Sequence, residues 1–184
     1  FDPAGLKTCF GVELPAGFEA SLAGILSPRN RVQMTRGTMI AVAVAHQALV
    51  DAGLELGRCD RTRIGVVAGA TGTGYAPLGD APDDHRILRN MASAPAAWIS
   101  LKFKLLGPSL VVSTACSSGS YALFAAHNLI AGNDCDVVIA GAADSSVSFL
   151  DVRGFGSLLG LSEDNADPAS ACRPFDARRS GLIR

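Results

Sequence analysis

Charge is scarce in this chain. Only 18% of its 184 residues are Asp, Glu, Lys or Arg, and none lies between Leu105 and Asn133. Little charge beside 48% hydrophobic residues excludes a disordered segment and suits a layered α/β protein whose sheet is covered on both faces. A net charge of −1, with basic clusters no longer than Arg178-Arg179, supplies no field for nucleic acid or anionic lipid, and neither is expected as a partner. Gly107, Pro108, a serine-rich centre and His127 interrupt the uncharged stretch, which reads as buried strand, turn and buried helix rather than a membrane span. The opening Phe1-Asp2-Pro3 has neither the basic region nor the apolar core of a signal segment, so the chain reads as soluble and cytoplasmic.

Several chemical signatures are missing. The five cysteines, at 9, 59, 116, 135 and 172, are odd in number and form no C-x-x-C pair, which points to a reducing compartment rather than a disulfide scaffold. No Cys, His or carboxylate pair has metal-ligand spacing, so no metal is expected. The serine-hydrolase elbow G-x-S-x-G is absent. Gly69-Ala70-Thr71-Gly72-Thr73-Gly74 follows a strand, yet it lacks both the G-x-G-x-x-G register and a G-K-[ST] ending. Dinucleotide and P-loop chemistry are therefore unsupported, and a tight turn or a substrate-lining loop remains.

What is present alternates between strand and helix. Phe1 to Pro28 is an irregular lead-in punctuated by Gly and Pro. Thr35 to Ala52, apolar nearly all round and closed by Gly53, predicts a buried helix, and Ile64 to Gly69 a buried strand. Ala96 to Leu106 reads as a helix stopped by Gly107-Pro108. Ser109 to Ser113 then reads as a strand, Ser117 to Ala131 as a helix and Asp136 to Gly141 as a strand. No internal repeat appears, and one compact unit with a mixed or parallel sheet is the simplest account.

Cys116 is the residue that invites chemistry. It lies in Ser113-Thr114-Ala115-Cys116-Ser117-Ser118-Gly119, between the strand and the helix, so its thiol is expected at a helix N-terminus, where first-turn N–H groups and the macrodipole favour a thiolate. The opposing reading, a small buried hydrophobe, fits Cys9, Cys59, Cys135 and Cys172 better, since none is followed by small helix-starting residues as Cys116 is by Ser117-Ser118-Gly119. A general base is not visible. His127 follows Cys116 by eleven residues on the same predicted helix, roughly 16 Å along its axis at about 1.5 Å per residue. His46 sits in an apolar helix and His85 in a polar stretch, and both read as structural.

The motifs resemble, in order, those of the β-ketoacyl synthases, the condensing enzymes of fatty-acid and polyketide synthesis. Thr114-Ala115-Cys116-Ser117-Ser118-Gly119 is similar to the nucleophile motif, and Asp136 through Asp144 to the strand and turn that follow it. Gly154-Phe155-Gly156, Leu161-Ser162, Arg173-Pro174-Phe175-Asp176 and Arg179-Ser180-Gly181 resemble the later landmarks. Ile64-Gly65-Val66-Val67, Asn90-Met91 and Gly107-Pro108 fall in the family's sequence too.

The resemblance implies a thiolase-like α/β fold, layered αβαβα, of which residues 1–184 are most of the first half. It implies that Cys116 is the acyl-accepting nucleophile and that its backbone N–H is one oxyanion-hole donor. A second half would supply two histidines, a lysine and a phenylalanine loop. No cofactor is implied, because the phosphopantetheine arm arrives on an acyl carrier protein, the expected partner. Gly72, Thr73, Gly74 and Met91 fall where the family builds its acyl pocket. Ser109, Leu110, Val111, Val112 and Ser113, with Thr114 beside them, fall at the interface of a homodimer or of a heterodimer with a similar subunit. Ser180 departs from the family, which commonly has Asp or Asn there. A thiolase acting on coenzyme A thioesters and a non-catalytic, chain-length-setting partner subunit are the alternatives. Arg173-Pro174-Phe175-Asp176 speaks against the first and Cys116 against the second.

Overall fold

The computed structural model describes residues 2–71, 85–145, 147–158 and 160–183. In chain order the elements are helices α1 (Phe18–Ser21), α2 (Pro28–Arg31) and α3 (Arg36–Asp51), strand β1 (Ile64–Gly69), helices α4 (Arg86–Asn90) and α5 (Ala94–Phe103), strand β2 (Ser109–Val112), helix α6 (Ser118–Ala131), strand β3 (Val137–Ala142), and helices α7 (Phe149–Ser157) and α8 (Pro168–Ala171). The single compact unit expected from the sequence is instead two: Glu19–Ser145, and Phe1–Phe18 with Ser146–Arg184.

The first unit is built on a parallel sheet of order β2-β1-β3. Strand β1 lies in the middle and is buried along its whole length, as an unbroken apolar run between two parallel neighbours must be. Val67 stands level with Leu110 on one side and Ala140 on the other. Helix α6 covers this face. Its Ala122, Ala125, Ala126 and Leu129, at helical spacing, meet Val67 together with Leu110, Val112, Val138 and Ala140 at strand spacing. Burying a side chain such as Val67 contributes on the order of 1.5–3 kcal/mol. Helices α3 and α5 pack on each other and on the strands, the pleat turning the remaining strand side chains toward them.

The predicted elements are present with shifted ends. Thr35 caps α3 by accepting the Thr38 N–H, and Gly53 closes it at φ +59. The helix is not buried all round, however. Ala41, Val42, Ala45 and Leu49 face inward, while Val44 and Val50 are exposed. Helix α5 starts two residues before the expected Ala96 because Pro95 suits a first turn. It ends at Lys104, whose left-handed backbone (φ +54) stops it ahead of Gly107-Pro108. Gly107 has a different task, since a Cβ there would lie 2.5 Å from the Ile64 carbonyl oxygen.

One ion pair ties the start of β1 to the connection between α6 and β3. Arg63 directs Nε (2.8 Å) and Nη2 (2.7 Å) at Asp136 Oδ1, and Nη2 also reaches the Asn133 carbonyl and Oδ1. The hydrogen bond from Arg63 holds the Asp136 carboxyl below the usual carboxylate range. A depressed carboxyl contributes stability above its unfolded value, near pH 4, and loses it as the pH falls through the lower folded value.

In the second unit, Thr8 Oγ1 donates to the Ser162 carbonyl (2.8 Å), while Asn165 accepts from Cys9 N–H and donates to the Lys7 carbonyl, both at 2.8 Å. Leu161 and Leu182 form an isolated parallel bridge. Only glycine fits at 181, because its φ is +152 and a Cβ would press on Ser162 N. Ser180, where the family pattern has an acid or amide, places its hydroxyl 2.6 Å from that of buried Ser162. Ser148 and Asp151 form a capping box at the start of α7.

Asp136→Asn is expected to lower the thermal midpoint at pH 7 and to flatten its decline below about pH 4, measured by circular dichroism melts across pH. An unchanged acid limb would assign that limb to other carboxylates.

Candidate active site

Cys116 occupies the junction that the sequence predicted, between a strand and a helix. Strand β2 ends at Val112, whose carbonyl accepts the Ala70 N–H at 3.0 Å, and Ser113 to Ser117 turn the chain into α6. The helix begins at Ser118, one residue later than expected, with Ser117 as its N-cap. Cys116 therefore immediately precedes the cap, and it is exposed. Such a position faces the unpaired N–H groups of a first turn.

The turn is tightly bonded for so short a segment. Ser117 N–H donates to the Thr114 carbonyl (3.3 Å) and Ser118 N–H to the Ala115 carbonyl (3.0 Å). Ser117 Oγ donates to the Thr114 carbonyl at 2.7 Å. Ser118 Oγ accepts the Thr114 N–H at 2.9 Å and donates to the Ala115 carbonyl at 2.6 Å. Ala115, between them, has φ +53, in the left-handed region that side-chain-bearing residues rarely enter.

Small residues let this turn sit on the carboxyl ends of the strands. A Cβ on Gly69, the last residue of β1, would lie 2.6 Å from both the Ser118 carbonyl carbon and oxygen. On Gly119 it would come 3.3 Å from Ala142 Cβ. The carboxyl end of a parallel sheet is where α/β folds present ligands.

The other expected site residues are placed unevenly. Met91 follows α4, is about half-exposed, and is not among the residues that hold the Cys116 turn. Gly72, Thr73 and Gly74 lie outside the described residues. Ser109, Leu110, Val111 and Val112 form β2, whose outer edge has no strand partner among the described residues, and Ser113 and Thr114 follow it exposed. His46 stacks on Phe103 with ring centroids 6.2 Å apart, in keeping with a structural role, and His127 is exposed in the third turn of α6.

Of the cysteines expected to be structural, only Cys135 is buried, and burial pushes its thiol up; Cys9 and Cys172 are exposed. Among the described residues no group of three or more His, Cys, Asp or Glu could hold a metal ion, and no helix is long and apolar enough to cross a membrane. The sequence reading missed the reach of Ser118 and the contact at Gly69. For Ser118 the one sequence signal is smallness beside a nucleophile candidate, and for Gly69 it is a glycine at the end of an apolar strand.

Known proteins agree with this architecture. The family model "Beta-ketoacyl synthase, N-terminal domain" matches residues 7–184. The 3-oxoacyl-[acyl-carrier-protein] synthase 2 of Vibrio cholerae is 30% identical over all of this chain and 46% of its own length. The tetracenomycin polyketide synthase ketoacyl synthase alpha subunit of Streptomyces glaucescens is 34% identical over 86% of this chain and 41% of its own. A crystal structure of a β-ketoacyl synthase from Burkholderia phymatum superposes with a TM-score of 0.73 at 29% identity, covering 96% of this chain and 44% of that one. The fold is thus the thiolase-like α/β fold, and the chain belongs to the β-ketoacyl synthase family. It spans about half the length of the curated relatives it matches.

Gly69→Ala is expected to cost about 1–3 kcal/mol, because the added methyl meets backbone rather than a movable side chain. Urea unfolding checks this. A loss below about 0.5 kcal/mol would mean that α6 moves off β1 freely.

Proposed function

We propose that this chain carries the nucleophile of a β-ketoacyl synthase that loads an acyl group from an acyl carrier protein and extends it by decarboxylative condensation. The observation that carries the proposal is the exposed Cys116 thiol at a strand–turn–helix junction, held by a bonded turn at the carboxyl end of a parallel sheet. The thiolate attacks the thioester carbonyl at the end of the phosphopantetheine arm. A carbon–sulfur bond to Cys116 forms, and the oxyanion faces the Cys116 backbone N–H. Collapse expels the carrier's thiolate and leaves acyl-Cys116. A malonyl-carrier thioester then loses carbon dioxide. Its carbanion attacks the acyl carbonyl, and the Cys116 thiolate leaves as the β-ketoacyl carrier thioester departs.

The proton handling for decarboxylation falls to the remainder of the full-length protein, since His46 packs on Phe103 and His127 lies along α6, well past the turn. Exposed Tyr121, Leu123, Phe124 and Ile130 on α6 support the same division, because a surface of this kind calls for cover. Fatty-acid and polyketide relatives match at similar identity, so the acyl donor is proposed as a class, a carrier-bound acyl thioester of either pathway. The outer edge of β2, without a strand partner among the described residues, supports a dimer paired through Ser109 to Ser113, because a free edge invites another strand. Gly72, Thr73, Gly74 and Met91 are carried forward as acyl-pocket residues.

Incubating the full-length protein with an acyl-carrier thioester is expected to add the mass of one acyl group. Cys116→Ala is expected to abolish the gain. An adduct that persists in the variant contradicts the assignment, and loading from acyl-coenzyme A but not from the carrier protein favours a thiolase instead. Light scattering of the same protein is expected to give twice the protomer mass, and a monomer contradicts the β2 pairing.

A further inference from the structure

We infer that Ser118 is a positioning residue for Cys116, its hydroxyl holding the Thr114–Ala115 turn in the conformation that fixes both the thiol and the backbone N–H of Cys116. The inference deepens the proposed function and rests on Cys116 being the acyl acceptor.

Ser118 is 3% exposed, although serine at the first position of a helix ordinarily faces water. Its hydroxyl both donates and accepts. The one proton goes to the Ala115 carbonyl at 2.6 Å, and a lone pair takes the Thr114 N–H at 2.9 Å. The two partners flank the Thr114–Ala115 peptide, so a single side-chain atom grips it from both ends. The residue so gripped is Ala115, at φ +53, a conformation that a Cβ-bearing residue leaves unless its surroundings hold it.

Cys116 is the next residue, and rotation at Ala115 swings its thiol and N–H together. Ser117 also bonds the Thr114 carbonyl, but Ser117 is exposed and water can replace it. Ser118 is buried, so water has little access to replace its hydroxyl, and the Ser118 N–H, which also reaches the Ala115 carbonyl, cannot take over the bond to the Thr114 N–H. Gly69 fixes the clamp from behind, because its missing Cβ leaves β1 backbone against the Ser118 carbonyl. The chain of contact runs from central strand to Ser118, to Ala115, to Cys116.

Thioester transfer needs the thiol and the N–H to converge on one carbonyl, whereas alkylation by iodoacetamide needs only a reachable thiol. The two reactions therefore separate positioning from exposure. In the full-length protein, Ser118→Ala is expected to lower kcat for acylation from an acyl-carrier thioester by about tenfold or more, with KM and the Cys116 alkylation rate within about threefold of wild type. Adding Ala115→Gly is expected to return acylation to within about threefold of wild type, because glycine adopts the left-handed conformation without a clamp. This double variant also carries the test if Ser118→Ala alone folds poorly.

Wild-type kcat in Ser118→Ala overturns the inference. So does equal loss of acylation and alkylation, or a folded double variant still about tenfold slow. A wild-type protein that alkylates at Cys116 but never acylates overturns the acyl-acceptor reading itself, an outcome distinct from a wild type that acylates and a Ser118→Ala variant that does so equally fast.

Discussion

Strand β1 and the first turn of α6 meet backbone to backbone at Gly69, and the rest of the first unit is arranged around that contact. A larger residue at 69 would lift the helix from the sheet. Lifting it would open the packing of Ala122 and Ala126 on Val67 and displace the turn that carries Cys116. The same small residues thus serve the core and the site. Alanine, glycine and serine along α6 let a helix lie close over three parallel strands, and the closeness fixes where its N-terminus ends.

The sheet and its helices account for the low charge of the sequence. Strand β1 is buried throughout, β2 and β3 are covered on one face by α6, and α3 and α5 pack on the strands from the other side. Polar side chains have few places to stand. At the base of β1 and β3, Arg63 and Asp136 pair their charges. What remains apolar and exposed, on the outer surface of α6, fits a chain that spans about half the length of its relatives.

Much of this was legible from residue order. Strand β1 was readable because six consecutive apolar or glycine residues between turn signals suit a central parallel strand. The end of helix α3 was marked by a glycine stop, whereas Thr35, counted as helical in the sequence, is its cap. The end of α5 was not readable, since Lys104 takes a left-handed cap usually left to glycine or asparagine. The exposure of Val44 and Val50 was missed because an almost uniformly apolar helix has no pattern from which to choose a face. Cys116 was found by its setting. Ser118 was read only as a small helix-start residue, because its hydroxyl matters through partners three and four residues back and through a glycine in another strand.

Exposure alone does not make a cysteine an acyl acceptor, and this chain supplies its own controls in Cys9 and Cys172, both exposed and outside any such turn. The most direct measurement is peptide mapping by mass spectrometry of the full-length protein after brief incubation with an acyl-carrier thioester. The acyl group is expected on the peptide containing Cys116, with Cys9 and Cys172 unmodified. An acyl group on Cys9 or Cys172, or spread evenly over the exposed cysteines, would contradict the claim that the bonded turn before α6 makes Cys116 the nucleophile.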